Sequence, residues 1–151
     1  CEPQVISLKF DLSSECAPSP GFMKALKASD LLVFCPSNPF LSIDPILAVP
    51  GVREKIKGFQ GPRIAVSPIV GGEAIKGPAG KILEELGHEV SCVGVAKRYV
   101  DICDIFIIDR MDAHLAPLIE KLGMRVVVTN TIMRSDEEKR KLAQEILSLD
   151  Y

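Results

Sequence analysis

Residues 67–81 read S-P-I-V-G-G-E-A-I-K-G-P-A-G-K, after an apolar run at 63–66 (R-I-A-V) and before a helical pattern at 82–87 (I-L-E-E-L-G). The order is strand, long glycine-rich loop, helix. Gly71, Gly72, Gly77 and Gly80 permit positive φ and close approach of backbone to a ligand. Lys76 and Lys81 add positive charge. Pro78 suits a first helical turn, where a missing N–H costs nothing. Free N–H groups and the dipole at a helix start favour an anion. The stretch reads as a phosphate or diphosphate cradle at the C-terminal end of a parallel strand, with a plain strand-to-helix connection as the alternative. It matches neither of the two nucleotide fingerprints, G-x-x-x-x-G-K-[ST] and G-x-G-x-x-G.

On either side the chain alternates strand and helix. Upstream, 5–10 alternate apolar and polar residues like an edge strand. Residues 11–20 form a connector, and 21–29 carry Phe22, Met23 and Leu26 at helical spacing. The run L-L-V-F-C at 31–35 fits a strand buried on both faces. P-S-N-P at 36–39 breaks it. Ser42 then reads as the N-cap of a helix with Pro45 in its first turn, and 52–57 add another helical turn. Downstream, a helix over 78–86 stops at Gly87. A strand follows at 89–93 and a short helix at 94–100. The strand I-F-I-I at 105–108 ends at Asp109. Residues 113–122 are helical, 125–129 form the last strand, and 136–149 an amphipathic helix. Alternation of this kind predicts an α/β fold: a three-layer, mostly parallel, doubly wound, Rossmann-like sheet, here incomplete. One domain covers 1–151, and no repeat or linker is visible.

Composition narrows the function classes. The 151 residues suffice for one real core. A net charge of −2 argues against a general nucleic-acid or membrane binder, and the absence of tryptophan against base-stacking platforms. Five cysteines without C-x-x-C indicate reduced thiols and a cytoplasmic location, with Cys35 and Cys92 as core strand residues. No run is long enough to span a bilayer. The chain begins at Cys1 in loop-like sequence, which reads as a truncated or processed piece.

In an open parallel sheet, ligands bind beyond the carboxyl ends of the strands. The segments expected there are 36–42, 67–81, 94–99, 109–112 and 129–134. They supply the candidate nucleotide- or phosphate-binding residues Ser37, Asn38, Ser42, Ser67, Gly71, Gly72, Lys76, Gly77 and Lys81. Gly94 and Thr131 are weaker substrate-binding candidates. Asp109 and Asp112 are possible Mg²⁺ ligands, with turn and cap roles as the competing explanation. His88 and His114 stand alone and read as surface residues. No residue pattern indicates a covalent nucleophile.

Several blocks occur in a distinctive order: P-S-N-P-F-L-S-I-D-P-I-L at 36–47, S-P-I-V-G-G at 67–72, K-G-P-A-G-K at 76–81, G-V-A at 94–96, D-x-x-D at 109–112 and T-I-M at 131–133. Together they resemble the 2-phospho-L-lactate transferase family (CofD), over nearly the whole chain but only over the family's C-terminal half. The resemblance implies transfer of a phospholactyl (or phosphoenolpyruvyl) group from a guanylylated donor to the deazaflavin Fo. GMP is released and Mg²⁺ required, in coenzyme F-420 biosynthesis. It further implies that Ser37, Asn38 and the 67–81 loop line the nucleotide and phosphate side. The acidic metal-holding residues of the family belong to its N-terminal half. The chain alone is therefore expected to be inactive, and to work as a homodimer or with an N-terminal half. The alternatives are a related nucleotide-sugar-binding regulatory protein and a purely structural, dimerising piece.

Overall fold

The computed structural model describes residues 3–12, 16–75 and 77–151. Four parallel strands form the central sheet: β1 (Leu32–Phe34), β2 (Arg63–Val66), β5 (Ile105–Asp109) and β6 (Arg125–Thr129), in the order β1-β2-β5-β6. Register is fixed by pairs such as Phe34 with Ala65, Ala65 with Phe106, and Phe106 with Val126. Each strand therefore lies beside the previous one, always on the same side. Right-handed crossovers that all step in one direction put their helices on one face of a sheet.

The core follows that rule. Phe34, Ala65, Phe106 and Ile108 point into one large cluster. It takes in residues of α1 (Pro20–Ala28), α2 (Asp44–Ala48), α3 (Val52–Lys57), α4 (Ala79–Glu85), α5 (Cys92–Tyr99) and α6 (Ala116–Glu120). The alternate residues Ile64, Val66, Ile105 and Ile107 face the other way, onto Leu142 and Ile146 of α7 (Asp136–Leu147). Three layers result, one thick and one carried by a single helix. Each aliphatic side chain fully buried this way contributes about 1.5–3 kcal/mol. α7 is started by a capping box: Ser135 accepts from the Glu138 amide while the Glu138 carboxylate accepts from the Ser135 amide.

Several sequence expectations are corrected. Residues 5–10 form no strand: the alternation is there, but no described neighbour pairs with it, Ile6 is exposed, and the Val5 amide donates instead to Glu85 at 2.9 Å. Residues 89–93 are not a strand either. Ser91 caps α5 by accepting from the Gly94 amide at 3.0 Å, so Cys92 already lies in a helix. β1 ends at Phe34, which leaves Cys35 exposed rather than in the core. The helix after β1 starts earlier than expected. Asn38, not Ser42, is the cap, and a π-helical turn (Pro39–Ile43) precedes α2. The expected helix over 113–122 is a 3-10 turn (Arg110–Leu115) followed by the short α6.

The N-terminal edge of the sheet is held by ion pairs. Arg53 grips Asp101, Lys57 reaches Asp101 at 3.0 Å, and Arg63 at the start of β2 grips Asp104 just before β5. The Arg53 hydrogen bond holds the Asp101 carboxyl well below the usual carboxylate range, and the Arg63 hydrogen bond lowers that of Asp104. A carboxylate depressed in the folded state contributes stability above its unfolded value of about 4, which is lost as pH falls from there toward the folded value. Thermal denaturation is therefore expected to show the melting temperature falling on acidification below about pH 4. Asp104→Asn should be less stable at neutral pH and flatter in acid, and a variant as steep as the parent chain would refute the assignment.

Candidate functional site

The segments that leave the carboxyl ends of β1, β2 and β6 converge. Pro36 and Asn38 follow β1, Ser67 and Pro68 follow β2, and Thr131 and Met133 follow β6. With Ile75 and Lys139 they line a cleft of about 280 Å³. Convergence at this end follows from the parallel sheet, whose strands all deliver their exits to one side.

Asn38 is the most informative residue of the cleft. Its Oδ1 accepts from the Phe40 amide at 2.9 Å and the Leu41 amide at 3.1 Å. Two donors on one atom settle which end of the amide is oxygen. The other end, Nδ2, is buried and has no partner. A buried donor left unpaired costs about 1–3 kcal/mol, so this N–H₂ group calls for an acceptor from a ligand or water.

Ser67 is buried and already engaged. Its amide donates to the Ile107 carbonyl at 2.9 Å, and its Oγ both donates to the Ile69 carbonyl and accepts from the Ile69 amide. It shapes the cleft floor. Thr131 is buried too, held through its amide (2.8 Å) and hydroxyl (3.3 Å) by Asp109 Oδ2. Lys139 brings a cation to the rim, with its Nζ 2.8 Å from Asp136. The helical pattern of 136–149 places Lys139 on the charged outer face, so only the approach of α7 to the loop after β6 reveals it. Ile75 likewise carries no sequence signal.

The remaining candidates lie elsewhere. Ser37 does not line the cleft, and Ser42 is exposed on the π-helical turn. Lys76 falls outside the described residues. Gly71 and Gly72 form no phosphate loop. They are the two central residues of a hairpin joining β3 (Ile69–Val70) to β4 (Glu73–Ala74). Both take positive φ, +60° and +81°, as a two-residue type I′ hairpin turn requires. The Gly71 amide is occupied, since both oxygens of Asp112 accept from it at 3.1 Å. Gly77 takes positive φ in the turn before α4. Lys81 is turned away, donating to the Pro3 carbonyl at 2.8 Å and pairing with Glu85 at 3.1 Å. Gly94 is buried inside α5, where its missing side chain admits the Glu89 carbonyl. It lies against a second hollow with His88, Lys97 and Arg98, not in the cleft.

Asp109 and Asp112 are buried, and their oxygens hold backbone. Asp109 Oδ1 accepts from Met111 at 3.0 Å, Oδ2 from Thr131, and Asp112 clamps the hairpin. Among the described residues no three His, Cys, Asp or Glu side chains come together as a metal site, and no carboxylate lines the cleft. Among the described residues this donor set does not fit a resident Mg²⁺. Burial, with Asp112 adding to it, pushes the Cys92 thiol up to about 12, so it is no nucleophile at neutral pH.

Residues 2–147 match the family described as 2-phospho-L-lactate transferase CofD. The 2-phospho-L-lactate transferase of Methanosarcina barkeri is 39% identical over 148 residues, covering 98% of this chain and 47% of that protein. That of Methanocaldococcus jannaschii is 38% identical, covering 95% and 45%. The phosphoenolpyruvate transferase of Kitasatospora aureofaciens is 35% identical, covering 87% and 41%. The chain thus spans under half the length of these relatives. Protein BH3568 from Bacillus halodurans superposes with a TM-score of 0.58 at 17% identity, over 89% of this chain and 48% of that one, a likeness of fold. No described helix is long and apolar enough to cross a membrane. With its convergent strand-end cleft and a match over nearly its whole length, the chain belongs to the 2-phospho-L-lactate transferase (CofD) family.

Proposed function

We propose that this chain supplies part of the ligand site of a transferase that moves a phospholactyl or phosphoenolpyruvyl group from a guanylylated donor to the deazaflavin Fo, a step of coenzyme F-420 biosynthesis. The observation that carries this reading is the buried, unpartnered Nδ2 of Asn38 in the strand-end cleft. In the transfer, an acceptor hydroxyl oxygen bonds to phosphorus, the bond from phosphorus to the GMP oxygen breaks, GMP leaves with the electron pair, and the hydroxyl loses its proton. Chemistry of this kind asks a protein mainly for position and charge neutralisation. Asn38 Nδ2 donates to an acceptor oxygen of the donor, and Lys139 sets positive charge at the rim. Ser67 and Thr131, held by Ile69 and Asp109, fix the walls.

No described lining residue is a general base, so this chain by itself binds without turnover, and catalysis needs further residues from a longer chain or a partner. The test is calorimetric titration with GDP, with and without Mg²⁺, beside a UDP-sugar. Saturable GDP binding supports the reading. Binding of the UDP-sugar alone would favour a regulatory nucleotide-sugar protein, and no GDP binding at millimolar concentration would remove the cleft as a nucleotide site of this chain.

A further inference from the structure

The Asn38 amide is aimed by a short π-helical turn. The Ser42 and Ile43 amides both donate to the Asn38 carbonyl, at 3.0 and 3.3 Å, and the Asp44 amide closes back on the Pro39 carbonyl. Isolated π turns are rare and concentrate at functional sites. One side chain contacts the turn at both ends. Arg98 of α5 lays its guanidinium over the Phe40 ring, 4.1 Å from the centroid. Its Nη2 pairs with the Asp44 carboxylate. The pair is largely shielded, with the two side chains 22% and 20% exposed. Phe40 is itself buried, and its amide is one of the two that Asn38 Oδ1 holds. Arg98 does not line the cleft.

We propose that Arg98 is a positioning residue for the cleft: by clamping Phe40 and Asp44 it sets the π-helical turn, and through it the direction in which Asn38 presents its Nδ2. The guanidinium suits this role because one rigid plane can stack on an aromatic ring while its edge engages a carboxylate. A lysine satisfies only the second contact. The inference rests on the Asn38 cleft being the ligand site.

A double-mutant cycle on GDP affinity, read by calorimetry, tests it. Arg98→Ala is expected to weaken binding about tenfold in the Asn38 background and to add nothing further once Asn38→Ala is present, since groups acting as a unit are non-additive. Arg98→Lys should recover part of the loss. Losses that simply add would overturn the proposal, because general destabilisation adds and positioning does not. Hydrogen exchange supplies a readout free of ligand. The Phe40 and Leu41 amides should exchange at least about tenfold faster in Arg98→Ala, with the Ser67 amide unchanged as the sheet control. Unaltered protection at Phe40 and Leu41 would overturn the proposal even where GDP binds. Accelerated exchange in a chain that binds no GDP would strike the nucleotide reading and leave the clamp standing. If Arg98→Ala does not fold, Arg98→Lys and Asp44→Asn carry the same comparison.

Discussion

Asn38→Ala is expected to weaken GDP binding by about tenfold to a hundredfold, the loss that follows when a buried donor matched to a ligand acceptor is removed. The same substitution removes the cap of the π-helical turn, at a cost of about 1 kcal/mol. The two effects separate in Asn38→Asp. Aspartate keeps the oxygen that holds the Phe40 and Leu41 amides and replaces the N–H₂ group by a second acceptor. GDP binding should be lost while the contacts to the Phe40 and Leu41 amides persist, because the new oxygen repels phosphate and cannot donate; burial of the new oxygen lowers the melting temperature as well. Titration of the three proteins decides the matter. Equal GDP affinity in Asn38→Asp would show that Nδ2 meets no ligand atom.

Gly94→Ala is expected to be strongly destabilising, by about 3 kcal/mol or more. A Cβ at this position would lie 1.9 Å from the Glu89 carbonyl oxygen and 2.9 Å from its carbon. The obstacle is backbone, so no side-chain rotation relieves it. Either α5 moves off the sheet or the connector at 87–91 gives way. That connector carries Ser91, the N-cap of α5, and Glu89, which accepts from Ser91 at 2.6 Å and pairs with Lys97 at 2.9 Å. Urea denaturation should show a lower midpoint with an unchanged slope. A midpoint shift smaller than that of an ordinary surface substitution would mean the connector yields freely. Gly94 thus has a packing role, admitting the Glu89 backbone against α5.

Most of the sheet was legible in the sequence. The runs at 31–35, 63–66, 105–108 and 125–129 are short, apolar and bounded by breakers, and each contributes a parallel strand. The errors share a cause. At 5–10 the alternating pattern is genuine, but a strand exists only where a neighbour offers its backbone, and none of the described residues does. At 89–93 the apolar residues suit a strand or a helix face equally, and the Ser91 hydroxyl decides for the helix. Between Ile69 and Ala74 the glycine pair is the turn of a two-residue hairpin, a pattern that a glycine-rich ligand loop shares in sequence.

What the sequence determined by itself is the class of fold and the end of the sheet at which the strand exits gather. Periodicity and breakers are local properties, and a parallel sheet sends all its strand exits one way. What only the tertiary structure decided is which side chains meet. Asn38, Ser67 and Thr131 come from positions far apart in the chain and share one cleft, while Gly71, Lys81 and Gly94 are drawn into other contacts. Lys139 reaches the cleft, and Arg98 the turn that bears Asn38, only because α7 and α5 pack where they do. A hydrogen bond or a stacked ring depends on distances of a few ångströms, and those are fixed by how the layers close on one another.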